Sequence, residues 1–226
     1  MTPATWPIPL EPMTLPGSLV RLEPLTPDAA PHVVDDLNLA AADDAVWQYL
    51  SSDGRTPDAM RAYVADLVAQ WMAGSALPFA VRFVAPSHAL TGRVVGVTRL
   101  KEVVRAHRRL SIGSWLARDA WGTGANAEAK ALLLAHAFEH LGAMRVEFET
   151  DVRNLRSRAA LAALGAVEEG LLRAHRITRD HNRRDSVLFS VIDTDWPEVR
   201  ARIAARVRAQ AARSADEQSQ RRSPND

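Results

Sequence analysis

Apolar and polar residues change period along this chain, and the changes divide it into elements. From Gly17 the run SLVRLEPL alternates apolar with polar, the two-residue period of a half-buried strand. Thr26-Pro27-Asp28 then offers a capping threonine with proline at the first helical position, so a helix to about Ala42 is expected. Thr56-Pro57-Asp58 repeats that signal, and Met60, Tyr63, Val64, Leu67, Val68 and Trp71 recur on one face at helical spacing. The runs PFAVRFVA, RVVGVTRLKEV and RLSIGSWLA follow, separated by short polar segments with Pro86, Gly92 and His107, and read as an antiparallel meander.

After the meander the pattern alternates. It predicts a helix over about Ala125 to Leu141, a strand over Arg145 to Thr150, a helix over Asn154 to Leu164, a strand from Val167 and another over Asp185 to Ile192. Strands and helices alternating through short connections make an α/β arrangement, with a right-handed first crossover. The strand at Arg145 turns Val146, Phe148 and Thr150 one way and Arg145, Glu147, Glu149 and Asp151 the other. After Trp196-Pro197 a last helix is expected to about Arg213, with SADEQSQRRSPND as a frayed tail. Ahead of Gly17, Pro3, Pro7, Pro9, Pro12 and Pro16 forbid a helix and predict an extended arm outside the core. The expected units are an arm (1–16), an α/β domain (17–196) and a basic C-terminal helix with its tail (197–226).

Composition narrows the function. A chain of 226 residues with 47% hydrophobic and 24% charged side chains has the make-up of one globular domain. The absence of cysteine excludes disulfides, thiolate metal sites and a cysteine nucleophile. A net charge of +1 argues against nucleic-acid binding through bulk charge. No run suits a membrane span or a signal peptide, so a soluble protein of the cytoplasm is expected.

The segment WLARDAWGTGANAEAKALLLAHAFEHLG carries the chemistry: a strand ends, two glycines follow and a helix begins. Gly122 and Gly124 clear side chains from the backbone amides of residues 122–126, and the helix start adds unpaired donors, which suits a phosphate or pyrophosphate. Ala127 stands where the dinucleotide fingerprint needs a third glycine, and no Gly-Lys-Ser/Thr follows.

Trp121-Gly122-Thr123-Gly124-Ala125-Asn126-Ala127-Glu128-Ala129, with TDVRNLRSRAALAALGA, EEGLLRAH and RRDSVLFSV, resembles the GCN5-related N-acetyltransferase (GNAT) superfamily, in the branch of the Rim-type ribosomal-protein N-terminal acetyltransferases. The resemblance runs from about Leu19 to Trp196. It implies a mixed central sheet of about six to seven strands flanked by helices, with an extra C-terminal helix. It also implies acetyl-CoA as co-substrate, no metal, and an amine acceptor. By that likeness the loop Trp121 to Asn126 cradles the pyrophosphate, Trp115, Leu116 and Ala117 offer backbone groups to the pantetheine arm, and Asn154 and Ser157 contact pantetheine and sulfur. Arg153, Arg156 and Arg158 suit the phosphates, since guanidinium forks match their geometry.

Three positions depart from the family pattern. Asp119 replaces the usual Gln or Arg before the loop, so its side chain is expected to turn away and cap the loop or helix. Leu161 stands where many members place a tyrosine, leaving Ser157 or water to protonate the leaving thiolate. Arg176 falls where the branch's proposed glutamate base would stand. Without cysteine, transfer is expected to be direct, through a ternary complex. Candidate bases are Glu149 first, with Glu102, His107, Glu147 and Asp151.

Other features have plainer readings. His136 to His140 matches H-x-x-E-H, an inverted zinc-peptidase motif, but follows a phosphate loop and reads better as helix surface. Val199, Ile203 and Val207 make a narrow apolar stripe among arginines, suited first to packing on the chain's own sheet and otherwise to RNA, an acidic partner or a second subunit. Trp47 and Trp71 read as core. The expected activity is acetyl transfer to a protein or peptide N-terminus, by a monomer or homodimer. The alternatives are transfer to a small amine such as an antibiotic or polyamine, and a silent acyl-CoA-binding module.

Overall fold

The computed structural model describes residues 10–222, with side chains as far as Gln210. Residues 1–9 of the expected arm, residues 223–226 of the tail and the Arg213 side chain lie outside that description. Eight strands form one sheet: β1 (Leu15–Pro16), β2 (Val20–Pro24), β3 (Leu77–Phe83), β4 (Val94–Val104), β5 (Arg109–Leu116), β6 (Arg145–Asp151), β7 (Val167–Ile177) and β8 (Arg183–Ile192). Their order is β1-β2-β3-β4-β5-β6-β8-β7. Every neighbouring pair is antiparallel except β5 and β6, joined by the helical crossover that a parallel pair requires.

The strand beyond the expected six to seven is Leu15–Pro16, which pairs with Leu22 and Arg21. Leu10 and Leu15 are buried in the core, and Trp71 Nε1 donates to the Leu10 carbonyl at 3.1 Å. Leu10 and Leu15 of the arm therefore enter the core, contrary to the proline-based expectation, while residues 11–14 and Pro16 stay exposed; proline forbids a helix but not burial of its apolar neighbours.

The helix expected over 26–42 is broken. Thr26 Oγ1 accepts from the Ala29 amide, but Pro31 lacks the N–H a continuous helix needs. A 3-10 turn (Ala30–His32) results, then α1 (Val34–Ala40) and a short α2 (Asp44–Trp47). α3 (Pro57–Met72) starts at its Thr56 cap as expected. α4 (Ala125–Ala135) runs into a π turn over His136–His140, α5 (Leu155–Leu164) is capped by Asn154, and α6 (Trp196–Arg222) continues past the expected end.

The sheet carries a core on each face. Ala80, Val97 and Trp115 meet Leu37, Trp47, Met60 and Leu67 of the early helices. Phe79, Val81 and Phe148 meet Leu133 and Leu134 of α4 and the α6 stripe of Val199, Ile203 and Val207. Among the described residues no helix is long and apolar enough to cross a membrane.

Candidate functional site

β5 and β6 pair only over Arg109–Ser111 against Arg145–Glu147. Both strands continue, to Leu116 and Asp151, so the sheet splays and a wedge opens between them. The Ala117 amide donates to the Val95 carbonyl at 2.8 Å. Alternation along an antiparallel ladder then spends the backbone of Trp115 on Val97 and turns that of Ser114 and Leu116 toward the wedge. Of the expected Trp115, Leu116 and Ala117, only Leu116 offers a backbone group there, because every second residue of β5 bonds to β4. Its carbonyl already accepts from Trp121 Nε1 at 2.9 Å. The alternating pattern held the signal for Ser114.

The glycine loop closes the wide end of the wedge. A 3-10 turn over Arg118–Ala120 leads to Gly122 and Gly124, at φ 81° and 95°, a region that glycine alone enters without strain. A side chain at Gly122 would enter open space, whereas one at Gly124 would lie 2.8 Å from Leu19 Cδ1 and 3.1 Å from Gln210 Oε1. The Thr123 hydroxyl donates to the Ala120 carbonyl (2.8 Å) and accepts from the Ala125 amide (3.3 Å). Among the described residues, none accepts from the amides of Gly122, Thr123, Gly124 or Asn126. Asp119 does turn away, but to Arg93 at 2.8 Å rather than to a cap.

From this loop a cleft of about 640 Å³ runs along the wedge to Asn154 and Ser157. Among the described residues its lining includes Lys130, Arg156 and Arg206 and no aspartate or glutamate. The Arg156 guanidinium lies 3.2 Å from the centre of the Trp121 ring, and burial lowers its pKa. Lys130 is 7% exposed and reaches Asn126 Oδ1; burial pulls its pKa down to about 8. Arg158 stands apart, on Glu168 at 3.3 Å and the Val152 carbonyl at 3.4 Å, and Arg153 clamps Asp151 at 2.8 and 3.0 Å. Only Arg156 of the three expected arginines lines the cleft. Lys130 shares a helical face with Asn126 four residues earlier, a spacing legible in the sequence.

A second pocket of about 210 Å³ opens where the cleft ends, the two sharing Tyr49, Ser114, Asn154 and Ser157. The Ser157 amide donates to Asn154 Oδ1 at 3.1 Å, so the α5 cap fixes both residues. Glu149 reaches this pocket, but Arg176 Nη2 and Nε hold its carboxylate at 2.6 and 3.0 Å, with Lys101 at 3.7 Å. Glu102, at φ 51° beside a bulge in β4, takes Arg176 at 2.6 Å and Lys101 at 2.8 Å. Burial works against its charge, yet these partners bring its carboxyl down to about 2. Asp151 also lines the pocket; burial raises its pKa, and the clamp of Arg153 outweighs that and holds it low. Glu147 is paired outside with Arg109 and Arg145, and His107 is exposed in a 3-10 turn.

The segments 49–52 and 176–184 wall this pocket and are tied together. The Arg184 guanidinium donates to the Tyr49 carbonyl at 2.8 Å and the Arg179 amide to the Leu50 carbonyl at 3.3 Å. Tyr49, Arg99 and Arg184 had no motif to announce them. Leu161 is core, as are Trp47 and much of Trp71. In the H-x-x-E-H run, Glu139 accepts from Trp196 Nε1 at 2.7 Å and Arg200 at 3.0 Å, while the two histidine rings stack 5.5 Å apart. Among the described residues no group of three or more His, Cys, Asp or Glu is arranged to hold a metal ion.

A family model described as the acetyltransferase (GNAT) domain matches residues 20–167. YdaF of Bacillus subtilis, named as a candidate ribosomal N-acetyltransferase, is 30% identical over 105 residues, covering 46% of this chain. The match spans only 57% of YdaF, little more than half its length. A structure from T. thermophilus, titled as a candidate acetyltransferase, is 37% identical with a TM-score of 0.74, over 88% of this chain and 100% of that one. Mycobacterium smegmatis RimJ, solved with CoA-disulfide, is 26% identical with a TM-score of 0.67, over 89% and 95% of the two chains.

Proposed function

Because the chain belongs to the acetyltransferase (GNAT) family, we propose that it transfers an acetyl group directly from acetyl-CoA to a primary amine, the N-terminus of a protein or peptide. The observation that carries the donor is the cleft of about 640 Å³, lined among the described residues by three cations and no carboxylate, with free loop amides at one end. Such a lining fits a polyanion and repels a cationic ligand. The free amides of Gly122, Thr123, Gly124 and Asn126 with Lys130 and Arg206 would hold the phosphates, Arg156 on Trp121 would flank them, and Ser114, Leu116 and Asn154 would take the amide-bearing arm. Bound acetyl-CoA supplies the acyl thioester.

The chain's own residues do the rest. The Ser157 hydroxyl stands between the cleft and the pocket, able to give a proton to the leaving sulfur. Tyr49, lining both, is a second hydroxyl within the same space. Against burial, ion pairs bring the Glu102 carboxyl down to about 2, which makes it a weak base, Arg176 occupies the Glu149 carboxylate at 2.6 Å, and the surrounding arginines favour the neutral form of an incoming amine. An α-amino group needs little more. Its pKa is about 2.5 units below that of lysine, so its neutral fraction at pH 7 is a few hundredfold greater, roughly 3 kcal/mol that a base would otherwise supply. Polyamine and aminoglycoside acceptors call for free carboxylates, and those of this pocket are already paired.

Mass spectrometry of paired peptides with acetyl-CoA at pH 7.5 tests this reading. A peptide with a free N-terminus should outcompete an N-blocked peptide containing lysine. Faster lysine acetylation would overturn the acceptor, and acetyl-CoA binding without turnover on any peptide or small amine would establish the silent module instead.

A further inference from the structure

The acceptor pocket holds more cations than its carboxylates require. Lys101 and Arg176 serve Glu102 and Glu149, and Arg153, from outside the lining, serves Asp151. Two lining guanidiniums are left over. Arg184 is 7% exposed; its Nη1 donates to the Tyr49 carbonyl, its Nε is buried with no partner, and it forms no ion pair among the described residues. Asp151 and Glu149 act on it only from beyond contact, Arg176 and Arg153 oppose them, and burial works against its charge. Arg99 also lacks an ion pair among the described residues, its one bond being Nη1 to Gln70 Oε1 at 3.3 Å.

A buried guanidinium without a counter-ion is costly, and a carbonyl of the 49–52 segment needs only a neutral donor. An anion entering the pocket would repay that cost with charge-assisted, forked hydrogen bonds. The pocket is small, about 210 Å³ against about 640 Å³ for the donor cleft, and it shares Ser157 and Ser114 with the end of that cleft. An anion lodged in it therefore lies a short way from the amine that Ser157 faces.

We propose that the acceptor amine carries a negatively charged group, a carboxylate or phosphate, within a few bonds of its nitrogen, and that Arg184 and Arg99 receive it. This rests on the transfer reading above and specifies its acceptor. The anion sets specificity: a neutral isostere leaves the Arg184 guanidinium without a counter-ion in a desolvated site.

The test uses the full chain, acetyl-CoA and three acceptor pairs. These are peptides with Asp or Asn at the second position, peptides with phosphoserine or serine there, and free alanine against alaninamide. In at least one pair the charged member should have a kcat/KM higher by about tenfold or more. The pair that shows it identifies whether the anion is an acidic side chain, a phosphate or the amino acid's own carboxylate. Arg184→Gln should bring that ratio to within about twofold, Arg99→Gln should lower it, and Arg184→Lys should keep most of it. Because a ratio is read, partial loss of folded enzyme cancels; should Arg184→Gln not fold by circular dichroism, Arg99→Gln decides. Turnover with no charge preference in any pair, or a preference that survives the Gln variants, overturns the inference while the transfer reading stands. No acetylation of any member overturns both.

Discussion

Ser157 lines both the larger cleft and the smaller pocket, its amide fixed by Asn154 and its hydroxyl unclaimed by any described residue. If it protonates the leaving sulfur, Ser157→Ala should lower kcat by about ten- to a thousandfold with little change in the KM for acetyl-CoA, since the contact matters chiefly in the transition state. Steady-state kinetics checks this, and a wild-type kcat would pass the role to Tyr49 or water. The pair Asn154 and Ser157 was legible through the family resemblance, and the cap that joins them is local, written within four residues. Glu149 shows the opposite. Its place on the strand was legible, but its neutralisation by Arg176 joins residues 27 apart along the chain and depends on the sheet order β6-β8-β7. For the same reason no periodicity could single out Arg184.

Elements as well as residues depend on distant partners, and Glu128 on α4 is the clearest case. Its buried carboxylate accepts from the amides of Ser18, Leu19 and Val20 at 2.9, 2.6 and 2.7 Å and from the Ser18 hydroxyl at 2.6 Å. The helix that begins at the glycine loop is thereby pinned to the start of β2, and Leu19 in turn packs beside Gly124. Glu128→Ala would leave buried backbone donors unpaired at about 1–3 kcal/mol each, so a loss of roughly 3–5 kcal/mol is expected by denaturant unfolding, with weaker acetyl-CoA binding. An unchanged unfolding midpoint would show that water replaces the carboxylate. The helix itself was readable from its period and the glycines ahead of it. Its pin was not, and neither was the break at Pro31, where a strong start signal at Thr26 concealed a missing donor five residues on.

At the scale of the whole molecule, a net charge of +1 conceals a segregated field: among the described residues the charged side chains of the larger cleft are all cations, while the smaller pocket interleaves both signs. Composition reports only the sum, which speaks against bulk-charge binding and leaves the cleft hidden. The segregation has a consequence in pH, because one of the three cleft cations titrates in an accessible range. Lys130 in the free protein has its pKa brought down to about 8 by burial, whereas a guanidinium does not lose its proton in this range. A bound phosphate stabilises the ammonium and raises that pKa, so binding above pH 8 must take up a proton. Affinity for acetyl-CoA should therefore fall as pH rises through about 8, by at most tenfold per pH unit. Acetyl-CoA rather than CoA is the probe, since it has no free thiol to titrate in the same range. Without ligand the sign reverses: the unfolded chain, with lysine at its ordinary 10.5, holds the proton that the folded chain has lost. Stability contributed by this group thus rises from pH 8 toward 10.5. Lys130→Met should bind acetyl-CoA more weakly at pH 7 and lose both slopes, which calorimetric titration and denaturant unfolding between about pH 7 and 9.5 would measure. A variant that keeps the wild-type slope of affinity would assign the titration to another group and remove Lys130 from the phosphate site.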